Sequence, residues 1–155
     1  MKIELRNVKI SSFMSRETTC FMATVYIDGK KASVVENDGQ GGPDLWHDNL
    51  AERAVIEYCK TLPQHQFDDM SIDMNAEILI NELLTKHILA QDLKRALAKR
   101  ILFTREDGKI YETKTMPRAD LTRLLTNPQI SEKLRATHVL NSLPFPTALE
   151  LYSKV

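Results

Sequence analysis

Apolar positions recur first at every second residue along the chain and later at every third or fourth. In Lys2 to Ser11, Ile3, Leu5 and Ile10 lie among charged and polar neighbours, a strand pattern that Val8 interrupts in the manner of a bulge. Ser12 to Arg16 reads as a bend. Thr18 to Ile27 is the strongest strand, rich in β-branched and aromatic residues. Both of its alternating sets are largely apolar, which predicts a central strand covered on both faces. Asp28-Gly29 is a hairpin signal, because glycine supplies the positive φ of a two-residue turn. Lys30 to Glu36, with Ala32, Val34 and Val35 apolar, returns as a third strand, so the opening predicts a three-stranded antiparallel meander.

After residue 48 the period lengthens. Leu50, Ala54, Val55, Tyr58, Cys59 and Leu62 predict one apolar face of a helix, capped by Asp44 or Asp48 and ended by Pro63. Pro63 to Asp69 has no period and is expected to be a surface loop. A second helix, capped by Ser71 or Asn75, carries Ile78, Leu79 and Leu83 and continues through Leu89, Leu93 and Leu97. Ile101–Thr104 and Ile110–Lys114 flank another Asp-Gly corner, Asp107-Gly108, and predict a second hairpin. It would either extend the first sheet or stand apart. Short helices should follow, with Ala119, Leu121, Leu124 and Leu125 on one. Ile130, Leu134 and Val139 belong to the next, and Ala148, Leu151 and Tyr152 to a last one opened by Pro146 and Thr147. With no repeat and no linker, residues 1–155 are expected to form a single α+β domain.

Composition narrows the function classes. At 43% apolar and 27% charged residues the chain belongs with folded globular proteins. Its 21 basic and 21 acidic residues balance, which disfavours a dedicated nucleic-acid binder. The balance is uneven along the chain: residues 1–80 carry 8 Lys or Arg against 13 Asp or Glu, and residues 81–155 carry 13 against 8. Such halves either fold against each other or show a charged face to a partner. The alternating N-terminus is no signal peptide, no stretch is apolar enough to span a membrane, and Cys20 and Cys59 are two lone cysteines. A cytoplasmic protein with reduced thiols is the expectation.

Candidate chemistry centres on Glu36 to His47, where the strand pattern gives way to the helix pattern. This stretch holds three of the five glycines and the only tryptophan. A strand, a glycine loop and a helix follow the order of a phosphate-binding turn. Yet Gly39-x-Gly41-Gly42 matches no nucleotide motif and lacks the phosphate-binding lysine, while Asp38 and Asp44 would repel an anion. Asp38, Asp44 and His47, with His65, could instead meet on a metal, although no ligand spacing marks one. Cys20 and Cys59 read as core filling, and no nucleophile turn occurs. Trp46 and Phe67 are either core anchors or contact residues. Asp68, Asp69 and Asp73 are either a solvated loop or a phosphate mimic facing a basic partner. A weaker nucleic-acid reading rests on Lys94, Arg95, Lys99, Arg100 and Arg105.

The segment Glu17-Thr18-Thr19-Cys20-Phe21-x-Ala23-Thr24-Val25-Tyr26-x-Asp28-Gly29-Lys30, followed by Asn37-Asp38-Gly39-x-Gly41-Gly42, resembles small uncharacterised proteins of bacteriophages and bacterial mobile elements. Leu93 to Leu97, Asp107 to Tyr111 and Val139 to Phe145 are similar to the same group. The resemblance implies a mobile-element accessory protein in a bacterial host and carries no catalytic residue with it. Many such proteins bind and block a host factor, including defence systems such as CRISPR effectors, so an anti-CRISPR-like inhibitor is one form this could take. The expectation is therefore a non-enzymatic protein that binds a host protein, with no cofactor, no metal and no membrane partner. Its contact loop would comprise Asn37, Asp38, Gly39, Gln40, Gly41, Gly42, Asp44, Trp46 and His47. The alternative is a small metal- or nucleotide-binding enzyme centred on the same 37–47 loop.

Overall fold

A computed structural model describes residues 1–154, and they divide into two compact units, the first Met1–Thr85 and the second beginning at Lys86. The fold is α+β. In the first unit β1 (Ile3–Ile10), β2 (Phe21–Ile27), β3 (Lys30–Asn37) and β4 (Leu45–Trp46) form an antiparallel sheet in the order β1-β2-β3-β4. The meander expected from the alternating pattern is present, and the hairpin after β2 closes with Asp28 and Gly29 both at positive φ, 49° and 80°. The fourth strand lies where only a loop was expected. Two residues are too few to show a period, and β4 is recognisable only by its pairing, Val35 with Trp46 and Glu36 with Leu45.

Val8 does mark a bulge. The β1–β2 register shifts between Arg6 and Lys9, with Asn7 in the left-handed region at φ 52°. The extra residue re-phases the strand, so Ile3, Leu5 and Val8 all pack against the core.

That core lies on one face of the sheet. Phe21, Ala23, Val25, Val35 and Trp46 meet Val55 and Cys59 of α1 (Asn49–Cys59). They also meet Ala76, Leu79, Ile80 and Leu84 in the first half of α2 (Ala76–Leu97). The expectation that β2 is covered on both sides is corrected here, because Met22 on the opposite face is 45% exposed. In place of a second layer, the Arg6 guanidinium lies 4.2 Å from the centre of the Tyr26 ring.

Asp48, not Asp44, caps α1, its carboxylate accepting from Leu50 N–H at 2.8 Å and Ala51 N–H at 2.9 Å. The buried stripe is Ala51, Val55 and Cys59, while Leu50, expected on that face, is 75% exposed. One residue is 100° of helix, enough to turn a side chain from the core to solvent. Residues 63–69 are also not simply a loop: β5 (His65–Phe67) and β6 (Met70–Ile72) pair through a turn with Asp68 at φ 49°. Each of these strands is only three residues long, too short to show a period, and the ribbon leaves Phe67, Met70 and Ile72 exposed. Asn75, not Ser71, caps α2, accepting from Ile78 N–H at 2.9 Å.

In the second unit β7 (Leu102–Thr104), β8 (Ile110–Glu112) and β9 (His138–Val139) form their own sheet, ordered β8-β7-β9. The second hairpin therefore stands apart from the first sheet. Around it lie α3 (Arg118–Leu125), α4 (Ile130–Leu134) and α5 (Phe145–Tyr152). Val139, expected on a helix with Ile130 and Leu134, is a strand residue opposite Phe103, because α4 stops at Arg135 with φ 52°. Ile101, Phe103, Leu121, Ile130 and Val139 form one cluster, and Leu93, Leu102, Leu140 and Ala148 another. Asn141 ties the end of α2 to β7. Its amide donates to the Leu97 carbonyl at 3.2 Å and accepts from Leu102 N–H at 2.9 Å. Charge follows the units, with 14 acidic and 8 basic residues in the first against 7 and 13 in the second.

The α1 boundary gives a direct check. Asp48→Ala should lower unfolding stability by about 1 kcal/mol through loss of the cap. Leu50→Ser should stay within about 0.5 kcal/mol of the parent. Urea titration followed by circular dichroism separates the two.

Candidate functional site

The corner after β3 is organised by one amide. Asn37 ends the strand with its side chain on the core face, 8% exposed. Its carbonyl oxygen accepts from the Thr18 hydroxyl at 2.7 Å and from Gly39 N–H at 2.9 Å. Its NH₂ donates to the Gly42 carbonyl at 2.9 Å and to the Asp44 carboxylate at 3.0 Å. A primary amide has two donors and two acceptor positions, so Asn37 is used completely. It pins the start, middle and end of the loop to one another and to the segment before β2.

Gly39 makes the second attachment. Its carbonyl accepts from three successive backbone N–H groups, those of Arg16, Glu17 and Thr18, at 3.0, 3.1 and 3.4 Å. It sits at φ 81°, and a Cβ there would collide with the Met14 carbonyl and the Cys20 side chain. The Glu17-Thr18 and Asn37-Asp38-Gly39-x-Gly41 segments of the sequence motif are thus two sides of one hydrogen-bonded bracket.

This arrangement decides what the loop can hold. The Gly39, Gln40 and Gly41 N–H groups, which would face an anion in a phosphate-binding turn, are occupied by the Asn37, Asp38 and Thr18 side chains. Asp38, Asp44 and His47 do not converge. Asp38 closes its own turn, Asp44 turns to Asn37, and His47 Nε2 lies 3.2 Å from Glu36. His65 lies with Glu82 instead, its Nδ1 at 2.7 Å. Among the described residues no three His, Cys, Asp or Glu side chains are grouped to hold a metal ion. Burial pushes the Cys59 thiol up, in keeping with its place in the core. Burial also pushes the Asp44 carboxyl up; the Asn37 hydrogen bond opposes this and Glu77 adds to it.

Of the nine expected contact residues, Asn37, Gly39 and Trp46 are buried, with Trp46 in the core. Asp38, Gln40, Gly41, Gly42 and His47 are exposed, and Asp44 is intermediate. The cationic set is largely engaged: Arg95 pairs with Asp92, Arg100 with Glu112, Lys94 lies over Phe145, and Arg105 lies over Phe103 and Tyr111.

The sequence reading missed the surface beside the corner. The registers place Lys9 against Met22, Met22 against Glu36, and Glu36 against Leu45. Directly paired residues share a face, so these four form a row across all four strands on the uncovered side. Leu45 is 61% exposed there. A groove of about 710 Å³ runs along it, with Ile10, Phe21 and Pro43 also in its wall and Cys20 at its margin. Phe13 and Met14, in the segment bracketed to Gly39, are exposed as well, Phe13 at 95%. The pairing of β3 with β4 was the missing signal.

Two substitutions test the bracket. Asn37→Ala strands Gly42, Asp44 and Thr18 groups and should cost about 1–3 kcal/mol in urea unfolding. Asp44→Asn keeps an acceptor for Asn37 and removes the charge. The folded-state pKa of Asp44 is raised, so its contribution is fully present at low pH and is lost as pH rises from the ordinary aspartate range through the raised value. Melting temperatures measured from acid to neutral pH should therefore show Asp44→Asn gaining on the parent as pH rises. In comparisons with known proteins the chain matches no family model, no curated protein and no solved structure.

Proposed function

We propose that this chain is a non-enzymatic accessory protein of a bacteriophage or mobile element, acting in the bacterial cytoplasm by binding a host protein. Its contact surface is the open face of the first sheet beside the corner after β3. The observation that carries this reading is the row Lys9, Met22, Glu36 and Leu45. It alternates charged and exposed apolar side chains across hydrogen-bonded strands, with Met22 between Lys9 and Glu36 and Leu45 beyond Glu36. Apolar patches rimmed by polar groups mark protein contacts, and a sheet loses little conformational entropy when it is covered.

A shallow row spread over four strands suits a protein better than a small ligand, which needs converging polar groups in a deep cavity. The acidic excess of the first unit works against nucleic acid. The mobile-element setting rests on the resemblance of the Glu17–Lys30 and Asn37–Gly42 segments. In that setting a defence effector of the CRISPR type is the first class of partner to assay. No helix of the described residues is long and apolar enough to cross a membrane.

The test combines Met22→Glu and Leu45→Glu, two exposed positions whose replacement leaves the core intact. The parent should retain a host protein from bacterial lysate and raise the plating efficiency of phage targeted by a CRISPR system. The double variant should melt like the parent and bind that protein at least about tenfold more weakly. Recovery of the same proteins by both forms would exclude this face as the interface.

A further inference from the structure

We infer that β1 is a homodimerisation edge, pairing antiparallel with β1 of a second copy to make one continuous eight-stranded sheet. This inference concerns the edge opposite the corner and does not depend on the binding reading above.

β1 ends the sheet, and among the described residues no strand lies beyond it. Lys2 turns both backbone groups inward, its carbonyl accepting from Asp28 N–H at 2.8 Å and its N–H donating to the Asp28 carboxylate at 2.7 Å. Successive residues of an antiparallel strand point these groups to opposite sides, so Ile3 and Leu5 turn theirs to the open edge. Such an edge is a template for another strand.

Charge selects the occupant. Lys2, Glu4 and Arg6 lie on the uncovered face with alternating sign, Lys2 and Glu4 3.1 Å apart. A two-fold axis at Ile3 sets Lys2 against the partner's Glu4 and Glu4 against the partner's Lys2. On the core face it sets Ile3 against Ile3 and Met1 against Leu5. Moving the axis to Glu4 would set Glu4 on Glu4 and Lys2 on Arg6, like charges directly opposed. Moving it to Leu5 would bring Ile3 onto Asn7, whose φ of 52° breaks the extended ladder. Only the Ile3 register is self-complementary.

The space beneath this edge agrees. A cavity of about 620 Å³ opens beside the start of β1, its wall combining apolar Ile3, Leu62 and Met74 with polar His65, Gln66 and Glu82. The core-face side chains of an added β1 would lie along its mouth, which gives the pairing an apolar component besides its hydrogen bonds.

Charge reversal tests the register without touching the core. By sedimentation equilibrium the parent should approach twice the 17.7 kDa chain mass as concentration rises. Lys2→Glu and Glu4→Lys should each sediment as monomers, because each sets like charges against each other in a homodimer. An equimolar mixture of the two should regain the doubled mass, since the chain carrying Lys2→Glu then presents two carboxylates to the two ammonium groups of the chain carrying Glu4→Lys. That rescue also shows that both variants are folded. A parent that stays monomeric up to its solubility limit, or single variants that dimerise like the parent, would overturn the inference. So would a mixture that stays monomeric.

Discussion

The first unit is governed by the fact that its sheet is covered on one side only. Both helices of the unit pack on the face made by Phe21, Ala23, Val25, Val35 and Trp46. Every side chain that alternates with these must face solvent or lean on its neighbours. Arg6 on Tyr26, His47 with Glu36, and the Lys2–Glu4–Arg6 series are such leanings. Met22 and Leu45 have none, and they remain apolar in the open. The uncovered row is thus a direct consequence of how two helices share one sheet.

The corner after β3 looks on sequence like the functional centre, and in the structure it is also a fastening. Its glycines and Asn37 serve backbone geometry: one carbonyl receives three N–H groups, and one amide makes four bonds. A loop whose donors are already spent cannot grip an anion, and a loop whose carboxylates point to different partners cannot chelate. What the corner can do is hold β4 against β3. That fixes Trp46 into the core and Leu45 out of it, since consecutive strand residues take opposite faces. The resemblance motif and the exposed row are linked in this way, the first building the frame on which the second stands.

What was legible in the sequence follows from which signals are local. Asp28-Gly29 and Asp107-Gly108 announce their turns because positive φ is a property of the residues themselves. The bulge at Val8 was visible because it breaks a period that surrounds it. The ribbon of residues 65–72 was not, since its strands are three residues each, too short to show a period, and it is recognised only by its pairing and a Ser71–Gln66 hydrogen bond. Val139 was misplaced because its partner, Phe103, lies far away in sequence. The candidate site shows the same divide. Asn37, Asp38 and Gly39 could be singled out by composition, but Lys9, Met22 and Leu45 become neighbours only through strand register.

Register also governs how the open edge of β1 can pair. A lone edge strand invites any extended chain, and charged side chains are a usual protection against this. Charges of one sign would repel every copy of the same strand. Charges that alternate, as Lys2, Glu4 and Arg6 do, repel in one register and attract in another. The bulge at Asn7 then limits the usable length to the stretch before it, removing the Leu5-centred register that alternation alone would also permit. Two features that separately read as protection of an edge, alternating charge and a bulge, together leave a single way for the edge to pair with itself.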